Sequence, residues 1–586
     1  MLTPVPGRID RRDAFALATL VVAGVGIPLG LAVAAGTIGI PSNDDWVYMR
    51  GADSLFRTGS INMPGHTAAS IGQLVMVQPL LWLSGGRPWS FTAFGLVMAS
   101  IGVVSTYLLA RRFVGTGSAV LVVLLVEAFP GMARETATFM TDVPAYALTV
   151  LCLLLGTRWL QGDGKRATLV ACVAAGLLAV SIREFALAAP AAVLAAAWAR
   201  NRADERVWLA GLSGMLVAGV ASVLIVAASI PGRAAPASLE AGQLLLLGFD
   251  FATLAAVLLP AVALGIGWPI ATIRQERVIL AVGLVPLAVL LPYGSFVGDL
   301  WMANGLGGNL LLSGIRDPVI GAAAWALTNR LASFAAMLVA ALALRWGYRA
   351  LAPVTSMSTA ISRAIRIARL LETPLILFLV FYAAELVILS PVVYPFDRYL
   401  YPMVPAAAIL LLRGPAQLSR LGRRQAFSHA AFAWLAISAF VIAVNSFAYD
   451  AARWRAGQAA VAIGYDARTV DAGYEWVGYH ASGAEKTASG VSTLTWYDKL
   501  WSSFRPCAVL SNSPLDVAGF RLIHVDRSAY RQYLFLGPEE PLYLHGALAD
   551  GCPTPPGTIA ARKPLAGREY TSAIVQGSSS QEAGVS

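Results

Sequence analysis

The chain has 586 residues, a formal net charge of +10, 57% hydrophobic and only 13% charged residues, and a mean hydropathy of +0.66. A composition this apolar excludes an ordinary water-soluble globule and indicates a polytopic membrane protein. The basic residues stand between apolar runs and do not cluster with interleaved aromatic residues, which argues against a nucleic-acid partner. We therefore interpret them as topology signals in a chain that lies in the lipid bilayer.

Apolar runs of membrane-crossing length recur along the chain. The first follows Arg8, Arg11 and Arg12, and it is too long for a signal-peptide core, so we expect a retained anchor. The pattern predicts an all-α domain of about 11–13 transmembrane helices over residues 1–447. The candidate spans are residues 14–35, 90–110, 117–130, 142–160, 168–181, 184–199, 207–229, 244–268, 278–297, 319–344, 373–392, 400–412 and 427–447.

The distribution of Lys and Arg predicts the orientation of these spans. With a cytoplasmic N-terminus and alternating sides, 22 Lys and Arg residues fall in cytoplasmic positions and 8 in outer positions before the polar tail. Cytoplasmic loops are the ones that accumulate basic residues. We therefore expect a multi-pass plasma-membrane protein with a cytoplasmic N-terminus and an extracytoplasmic C-terminal part.

The longest polar stretches lie on this outer side. The first outer loop, residues 36–89, contains two short segments, Ala52–Phe56 and Ile71–Leu83, that are typical of interfacial helices. From residue 448 to 575, mixed polar composition and short alternating runs predict a small extracytoplasmic α/β domain, and 576–586 a disordered tail.

The four cysteines divide into two pairs. Cys152 and Cys172 fall in apolar runs, where packing is the simplest role. Cys507 and Cys552 lie in the polar tail, and we expect a disulfide if they meet in the fold, because that compartment is oxidising. There is no Walker-type or dinucleotide glycine motif, so ATP-driven transport and nicotinamide chemistry have no support.

An acidic pair, Asp44 and Asp45, follows the first span. Two adjacent carboxylates in a partly desolvated site can provide a general base and a cation ligand. The alternative is an N-cap for the next helix, a role that Asp performs well. The residues alone leave both interpretations open.

A third carboxylate, Asp142, opens the fourth span in Thr141-Asp142-Val143-Pro144. Asp before a first-turn Pro is also good capping chemistry. The alternation of sides brings it to the face of the acidic pair. Asp44 or Asp45 together with Asp142 would suit Mg²⁺ or Mn²⁺, and no Cys/His spacing indicates zinc.

Two arginines are expected at the same face, Arg183 in a turn between spans and Arg398 before the twelfth span. Arg is suited to bidentate phosphate binding, although a local ion pair with Glu184 or Asp397 is the simpler alternative. Together, the arginines and carboxylates suggest a phosphorylated, membrane-borne substrate.

Two further residues have open roles. His66 is either a loop histidine without a task or a site residue, and Glu127 is either a buried partner for an Arg or a site residue. Apart from Glu127 and Arg330, the charges gather at one face, which favours an enzyme over a transporter or flippase of lipid-linked sugars. A sensor whose tail binds a ligand would leave that cluster unexplained.

Four islands in this order resemble the GT-C superfamily of polytopic glycosyltransferases, especially the bacterial branch related to protein O-mannosyltransferases and lipid A aminoarabinose transferases. Relatives often have Asp-Glu where this chain has Asp44-Asp45, and Arg183 replaces the lysine-rich phosphate grip of some members. The islands are Asp44-Asp45-Trp46-Val47-Tyr48, Thr141-Asp142-Val143-Pro144, Ser181-Ile182-Arg183-Glu184 and Asp397-Arg398-Tyr399-Leu400-Tyr401-Pro402.

The resemblance implies a hexosyl- or pentosyltransferase of the cell envelope. Its donor would be a polyprenyl-phosphate sugar, and its acceptor a glycan, lipid or protein. A first-loop Asp would be the general base of an inverting transfer. We prefer Asp44, because Tyr48 then stands at the spacing where relatives have an aromatic residue, with Asp45 second.

The remaining roles implied by the resemblance concern the donor. Arg183 and Arg398 would stabilise the leaving phosphate, helped by a divalent cation on Asp142 and Asp45. Tyr48, Tyr399 and His66 would contact the substrate.

Overall fold

The structure is a computed structural model, in which most of the chain is described. The described residues are 10–63, 70–200, 205–229, 242–265, 339, 374–390, 395–413, 421–481, 504–515, 519–533, 536–549 and 551–553. His66, Arg330, the candidate span 278–297, the candidate span 319–344 apart from residue 339, and the tail 576–586 lie outside them.

The first part of the chain is a bundle of apolar helices. A π-helical turn at Val22–Gly26 separates α1 from α2, and 3-10 turns at Glu184–Leu187 and Asp397–Leu400 precede α11 and α15. The helices are α1 Arg11–Val21, α2 Ile27–Ala35, α3 Asp45–Thr58, α4 Ile71–Met76, α5 Gln78–Ser84, α6 Trp89–Arg111, α7 Thr116–Glu127, α8 Met132–Thr136, α9 Asp142–Leu160, α10 Arg166–Val180, α11 Ala188–Ala199, α12 Arg206–Ala228, α13 Gly242–Gly265, α14 Pro374–Leu389, α15 Met403–Leu412 and α16 Leu421–Ala462.

The helical membrane domain expected from the sequence is confirmed. Among the described residues, 5 helices are long and apolar enough to cross a membrane, and further apolar helices of 10–17 residues accompany them. One detail of the sequence analysis was wrong, because Glu127 and Arg330 are not the only charges within spans. Asp250 lies inside α13 and Glu385 inside α14.

Helix α9 lies at the centre of the bundle. In its most apolar 18-residue stretch, 83% of the residues are buried, against 17% in the corresponding stretch of α12. Glycines bring its neighbours close: a Cβ on Gly102 of α6 would meet the ring of Tyr146 at 2.6 Å, and one on Gly156 would meet Val193 of α11 at 2.4 Å. Close approach at small residues is the usual packing of helices in lipid. This close packing of α9 against α6 and α11 fixes the position of Asp142 at the start of α9.

A buried charged cluster joins the N-terminal end of α1 to α6 and α7. Asp13 Oδ1 accepts hydrogen bonds from Tyr107 at 2.6 Å, Arg111 Nε at 2.9 Å and Thr116 at 3.1 Å. Asp13 also completes a capping box with Asp10. We call Asp13, Tyr107, Arg111 and Thr116 the Asp13 cluster.

The C-terminal part forms the expected small α/β unit. Helix α16 has 42 residues, roughly 63 Å at the α-helical rise, so it extends beyond a bilayer core, and the expected domain boundary at 447 falls inside it. A four-stranded sheet has the order β1-β2-β4-β3, with β1 parallel to β2 and the other pairs antiparallel. Its elements are β1 Val470–Asp471, α17 Tyr474–Ala481, β2 Ala508–Ser511, β3 Phe520–Arg531 and β4 Glu539–Ala547.

The cysteines are arranged as the sequence suggested. Cys507, next to β2, forms a disulfide with Cys552 across a separation of 45 residues, which confirms the conditional prediction. Cys152 and Cys172 are buried free thiols with their sulfurs 3.4 Å apart between α9 and α10.

Helix α17 of the C-terminal domain packs directly on α3 of the first loop. The Trp46 and Tyr474 rings meet edge to face with their centroids 5.9 Å apart. Arg50 Nη1 donates to the Gly478 carbonyl at 3.1 Å. The first loop and the C-terminal domain therefore lie on the same side of the bundle, as the charge distribution predicted.

Candidate active site

Asp44 stands at the N-cap position of α3, but its side chain makes no capping hydrogen bond. Instead, Oδ1 accepts a hydrogen bond from the Tyr474 hydroxyl at 3.0 Å, and Oδ2 lies 3.7 Å from Arg398 Nη2. The side chain is 26% exposed, whereas that of Arg398 is 2% exposed. Asp44 is thus the accessible carboxylate at the edge of a buried charged site, and the capping alternative does not describe it.

Asp45 has a different environment although it is the next residue. Its carboxylate is buried and accepts hydrogen bonds from the backbone N–H groups of Ser42 and, at 3.3 Å, Phe139. Burial raises the pKa of Asp45 well above its ordinary value, against the lowering effect of the two N–H donors. The side chain ties the first loop to the segment before α9 and does not reach Asp142 through any contact in the described part of the chain.

Asp142, the first residue of α9, holds two arginines with one oxygen. Its Oδ2 lies 3.3 Å from Arg183 Nη2 and 3.3 Å from Arg398 Nε. All three side chains are at least nine-tenths buried. Glu135 from the short helix α8 adds a further carboxylate, 3.9 Å from Arg398 Nε. We call Asp44, Glu135, Asp142, Arg183 and Arg398 the Asp142 cluster.

The hydrogen-bonding capacity of the two arginines exceeds what the described residues provide. Arg183 Nε and Arg398 Nε and Nη1 are buried without a hydrogen bond to any described residue. The contact of Arg398 Nε with Asp142 is therefore an ion pair without hydrogen-bond alignment. Buried guanidinium nitrogens without acceptors are costly, and they suit an anion with several oxygens.

The environment of the site affects the charge of its carboxyl groups and of its arginines differently. Burial raises the pKa of Glu135, with Asp142 adding to the effect, and it raises the pKa of Asp397 to about 7 against the lowering effect of Arg398. Burial opposes the charge of Arg398, but Asp142 and Glu135 outweigh it and raise its pKa. The arginines thus stay charged while two of the surrounding carboxyls favour the neutral form.

Aromatic rings line the arginines. Arg183 lies 4.7 Å from the Tyr399 ring centroid and donates to the Tyr399 hydroxyl at 3.3 Å. Arg398 lies 4.2 Å from the Phe396 ring centroid. Tyr48 is completely buried, with Asp44, Arg183 and Asp142 among its electrostatic neighbours. These rings restrict both guanidinium groups to one orientation.

A small, partly open cleft lies beside the arginines. Both charged and apolar side chains line it, a typical composition for a ligand-binding site. The lining residues are Asp142, Ala145, Thr149, Arg183, Phe185, Ala186, Tyr382, Arg398, Tyr399 and Pro402.

The structure brings together most of the residues that the sequence selected. Asp44, Asp142, Arg183 and Arg398 meet although more than 350 residues separate the first from the last. Glu135 was missed; Arg134-Glu135 is a charged dipeptide in an otherwise apolar connection, and this was an available signal. His66 lies outside the described residues.

The expected cation site does not fit these residues. Asp142 Oδ2 contacts both arginines, and the Asp45 carboxylate is occupied by backbone N–H groups. Across the described ranges, no group of three or more His, Cys, Asp or Glu side chains is arranged to hold a metal. We therefore derive no step through a metal ion.

Comparisons with known proteins agree with the resemblance read from the islands. Residues 75–230 match the sequence model of the dolichyl-phosphate-mannose-protein mannosyltransferase family. This segment runs from the first loop through α12 and includes Glu135, Asp142 and Arg183. No curated protein sequence matches the chain.

Several solved structures match the chain at low identity and with low TM-scores. ArnT from Cupriavidus metallidurans, bound to undecaprenyl phosphate, is 13% identical with a TM-score of 0.37, over 89% of this chain and 97% of that one. The Archaeoglobus fulgidus oligosaccharyltransferase, in a complex with Zn and sulfate, is 14% identical with a TM-score of 0.34, over 82% and 68%. AglB from the same organism, with an inhibitory peptide and a dolichol-phosphate, is 12% identical with a TM-score of 0.32, over 83% and 69%.

The family match covers about a quarter of the chain, and its residues 75–230 lie within the bundle of apolar helices. Over this segment the chain is similar to dolichyl-phosphate-mannose-protein mannosyltransferases.

Proposed function

We propose that the protein transfers a sugar from a polyprenyl-phosphate donor to an acceptor hydroxyl at the extracytoplasmic face, with inversion at the anomeric carbon. One observation carries this proposal: two buried arginines share a single carboxylate oxygen, and three of their nitrogens have no hydrogen bond within the described residues. The description of the matching family, which names a dolichyl-phosphate sugar, supports a lipid-phosphate donor.

The donor phosphate would lie against Arg183 and Arg398. Both line the cleft, and their side chains are held by Asp142 and by the rings of Tyr399 and Phe396. Negative charge increases on the phosphate as the bond between the anomeric carbon and the phosphate oxygen breaks. Preorganised cations in a dry site stabilise that charge without reorganisation.

Asp44 is the proposed general base. It is the exposed carboxylate of the cluster, and its Oδ2 lies near Arg398 without a hydrogen bond at 3.7 Å. It would take the acceptor hydroxyl proton while the acceptor oxygen attacks the anomeric carbon opposite to the leaving phosphate. Asp45 is the second candidate from sequence, and its burial against two backbone N–H groups supports a structural role instead.

The test is a transfer assay with purified protein and a panel of radiolabelled polyprenyl-phosphate sugars, in which lipid-phosphate release is measured. In single turnover with saturating donor, Asp44→Asn should lower the rate by about 10²- to 10⁴-fold and leave donor binding nearly intact. Asp45→Asn, the matched control, should keep measurable activity in the folded fraction. Equal rates in the two variants would remove Asp44 as the base.

The orientation is part of the proposal and is tested separately. Cys152 and Cys172 are buried, and Cys507 and Cys552 are bonded to each other, so an introduced thiol is the only reactive one expected. Ser60→Cys, in the first loop, should react with an impermeant maleimide in intact cells. Gly115→Cys, between α6 and α7, should react only after lysis, and the reverse result would invert the topology.

A transporter of lipid-linked sugars is the alternative from another class. It requires polar groups along a path through the membrane. Glu385 lies within a span, in α14, whereas the charged residues of the Asp142 cluster lie at helix ends and in the connections between helices. Sugar movement across vesicles without lipid-phosphate release would favour the transporter.

A further inference from the structure

Two consecutive residues of the C-terminal domain contact two consecutive residues of the first loop. The Tyr474 hydroxyl donates to Asp44 Oδ1 at 3.0 Å. The backbone N–H of Asn43 donates to Glu475 Oε1 at 2.9 Å. Neither Tyr474 nor Glu475 was predicted from the sequence, because each lies about 430 residues from its partner and in another domain.

Glu475 is itself held by a buried ionic network. It is 1% exposed and paired with Arg453 of α16. Arg453 also lies 3.9 Å from Asp450, whose Oδ2 accepts the Ser42 hydroxyl at 2.9 Å and Arg134 Nη2 at 2.7 Å. Helix α16, the C-terminal domain and the segment before α9 therefore hold the first loop jointly, and motion of one of them is opposed by the others.

The first loop contains a residue with an uncommon backbone conformation. Asn43 has a φ of 57°, in the left-handed region that non-glycine residues seldom adopt. The hydrogen bond from its N–H to Glu475 stabilises this conformation, which sets the direction in which Asp44 leaves the chain. The Tyr474 hydroxyl then fixes the rotation of the Asp44 carboxylate.

We propose that Tyr474 is a positioning residue of the active site: its hydroxyl occupies Oδ1 of Asp44 and presents Oδ2 to the acceptor. This inference rests on the proposed role of Asp44 as the base. Under this proposal, Oδ2 of Asp44, which faces Arg398 and the donor, takes the proton of the acceptor hydroxyl. The proposal also makes the C-terminal domain a part of the catalytic unit.

A purely structural role for Tyr474 is separable from this one. Its ring packs edge to face on Trp46, and a phenylalanine would keep that contact. Tyr474→Phe therefore removes the hydroxyl that donates to Asp44 and preserves the packing of the ring. Tyr479→Phe is the matched control, since Tyr479 lies on the same helix and packs on Trp454 with ring centroids 5.8 Å apart.

The first measurement needs no substrate. In the full-length protein in detergent, carbodiimide labelling of Asp44, followed by mass spectrometry, reports how freely its carboxylate reacts. Tyr474→Phe should raise the labelling about 3- to 10-fold, because one oxygen loses its donor, and Tyr479→Phe should leave it unchanged. No increase in Tyr474→Phe would overturn the contact.

The second measurement is single-turnover transfer with the sugar donor that the wild type uses. Tyr474→Phe should lower the rate at saturating donor by about 10- to 100-fold, with the donor concentration for half-saturation unchanged. Increased labelling with a wild-type rate would overturn the positioning role. A wild type that is inactive with every donor contradicts the proposed function instead, and the labelling still decides whether the contact exists.

A second variant guards against misfolding of the first. Glu475→Gln keeps an acceptor for the Asn43 N–H but loses the charge that pairs with Arg453. It should raise Asp44 labelling by a smaller factor than Tyr474→Phe and lower the transfer rate in the same direction. Wild-type labelling and rate in this variant would contradict the joint support of the loop by the two domains.

Discussion

Two buried arginine–carboxylate clusters lie at opposite ends of the membrane domain, and their hydrogen bonding differs. In the Asp13 cluster, one arginine meets one carboxylate, and Tyr107 and Thr116 complete its coordination at 2.6 and 3.1 Å. In the Asp142 cluster, two arginines share one oxygen at 3.3 Å, and three of their nitrogens are without hydrogen bonds to the described residues.

The difference separates an ion-pair cluster that stabilises the fold from a candidate ligand-binding site. A fully paired buried cluster stabilises the packing of the helices that contribute to it. An incompletely paired one is costly for folding, and it persists where a ligand supplies the missing acceptors. Composition alone would not separate the two, because both contain buried Arg and Asp at helix ends.

The largest expected effect is that of Arg398→Ala in the Asp142 cluster. Loss of a preorganised donor to a developing oxyanion should lower single-turnover transfer by about 10²- to 10³-fold. It should also weaken binding of undecaprenyl phosphate, measured as the ligand-induced rise in melting temperature. A ligand-induced rise equal to that of the wild type would contradict a phosphate site at Arg398.

The matched substitution at the other end is Arg111→Ala. It leaves Asp13 buried and without its charged partner, so it should lower the free energy of unfolding by about 3 kcal/mol. Chemical denaturation in detergent measures the loss. The folded fraction should transfer sugar at the wild-type rate. A large rate loss in that fraction would contradict a purely structural role for the Asp13 cluster.

A smaller effect is expected on the pH dependence of stability, through Asp397 beside the Asp142 cluster. Burial raises the pKa of Asp397 from 3.8 to about 7, so the folded state holds a proton that the unfolded state releases. Stability from this group is therefore complete below about pH 4 and lost as pH rises to about 7. Asp397→Asn should flatten that decline in melting temperature, and parallel profiles for the two proteins would contradict the shift.

The smallest effect is expected for Arg57→Ala. Arg57 pairs with Asp53 on α3 at 2.8 Å, but the Arg57 side chain is 65% exposed. An exposed pair of this kind contributes little to stability, because solvent screens both charges. Melting and transfer should both match the wild type, which gives the baseline for the three other substitutions.

Local patterns in the sequence were sufficient for much of the fold. Apolar runs predicted the positions of α6, α9, α10 and α12, because a helix in lipid must satisfy its own backbone and present apolar side chains. The C-terminal α/β unit followed from a change in composition. The charges within spans were counted less well, since Asp250 and Glu385 each stand alone in an apolar run.

The site was predicted in part. Asp44, Asp142, Arg183 and Arg398 were selected because charges at span ends on one face must share a polar environment. Which residue of the acidic pair is accessible was not determined by its sequence, since adjacent residues at a helix start point in different directions. Only the fold showed Asp45 turned to Phe139 and Asp44 turned to Arg398.

The sequence by itself determined the membrane class, the helical spans, the face on which the charges gather and the superfamily resemblance, because these depend on composition and short islands. Tertiary structure alone decided that Asp13 has all its partners whereas the arginines at Asp142 do not, and that Tyr474 reaches Asp44 from another domain. The physical reason is that hydrogen-bond partners hundreds of residues apart leave no local pattern. Their pairing depends on how the helices and the C-terminal domain pack in three dimensions.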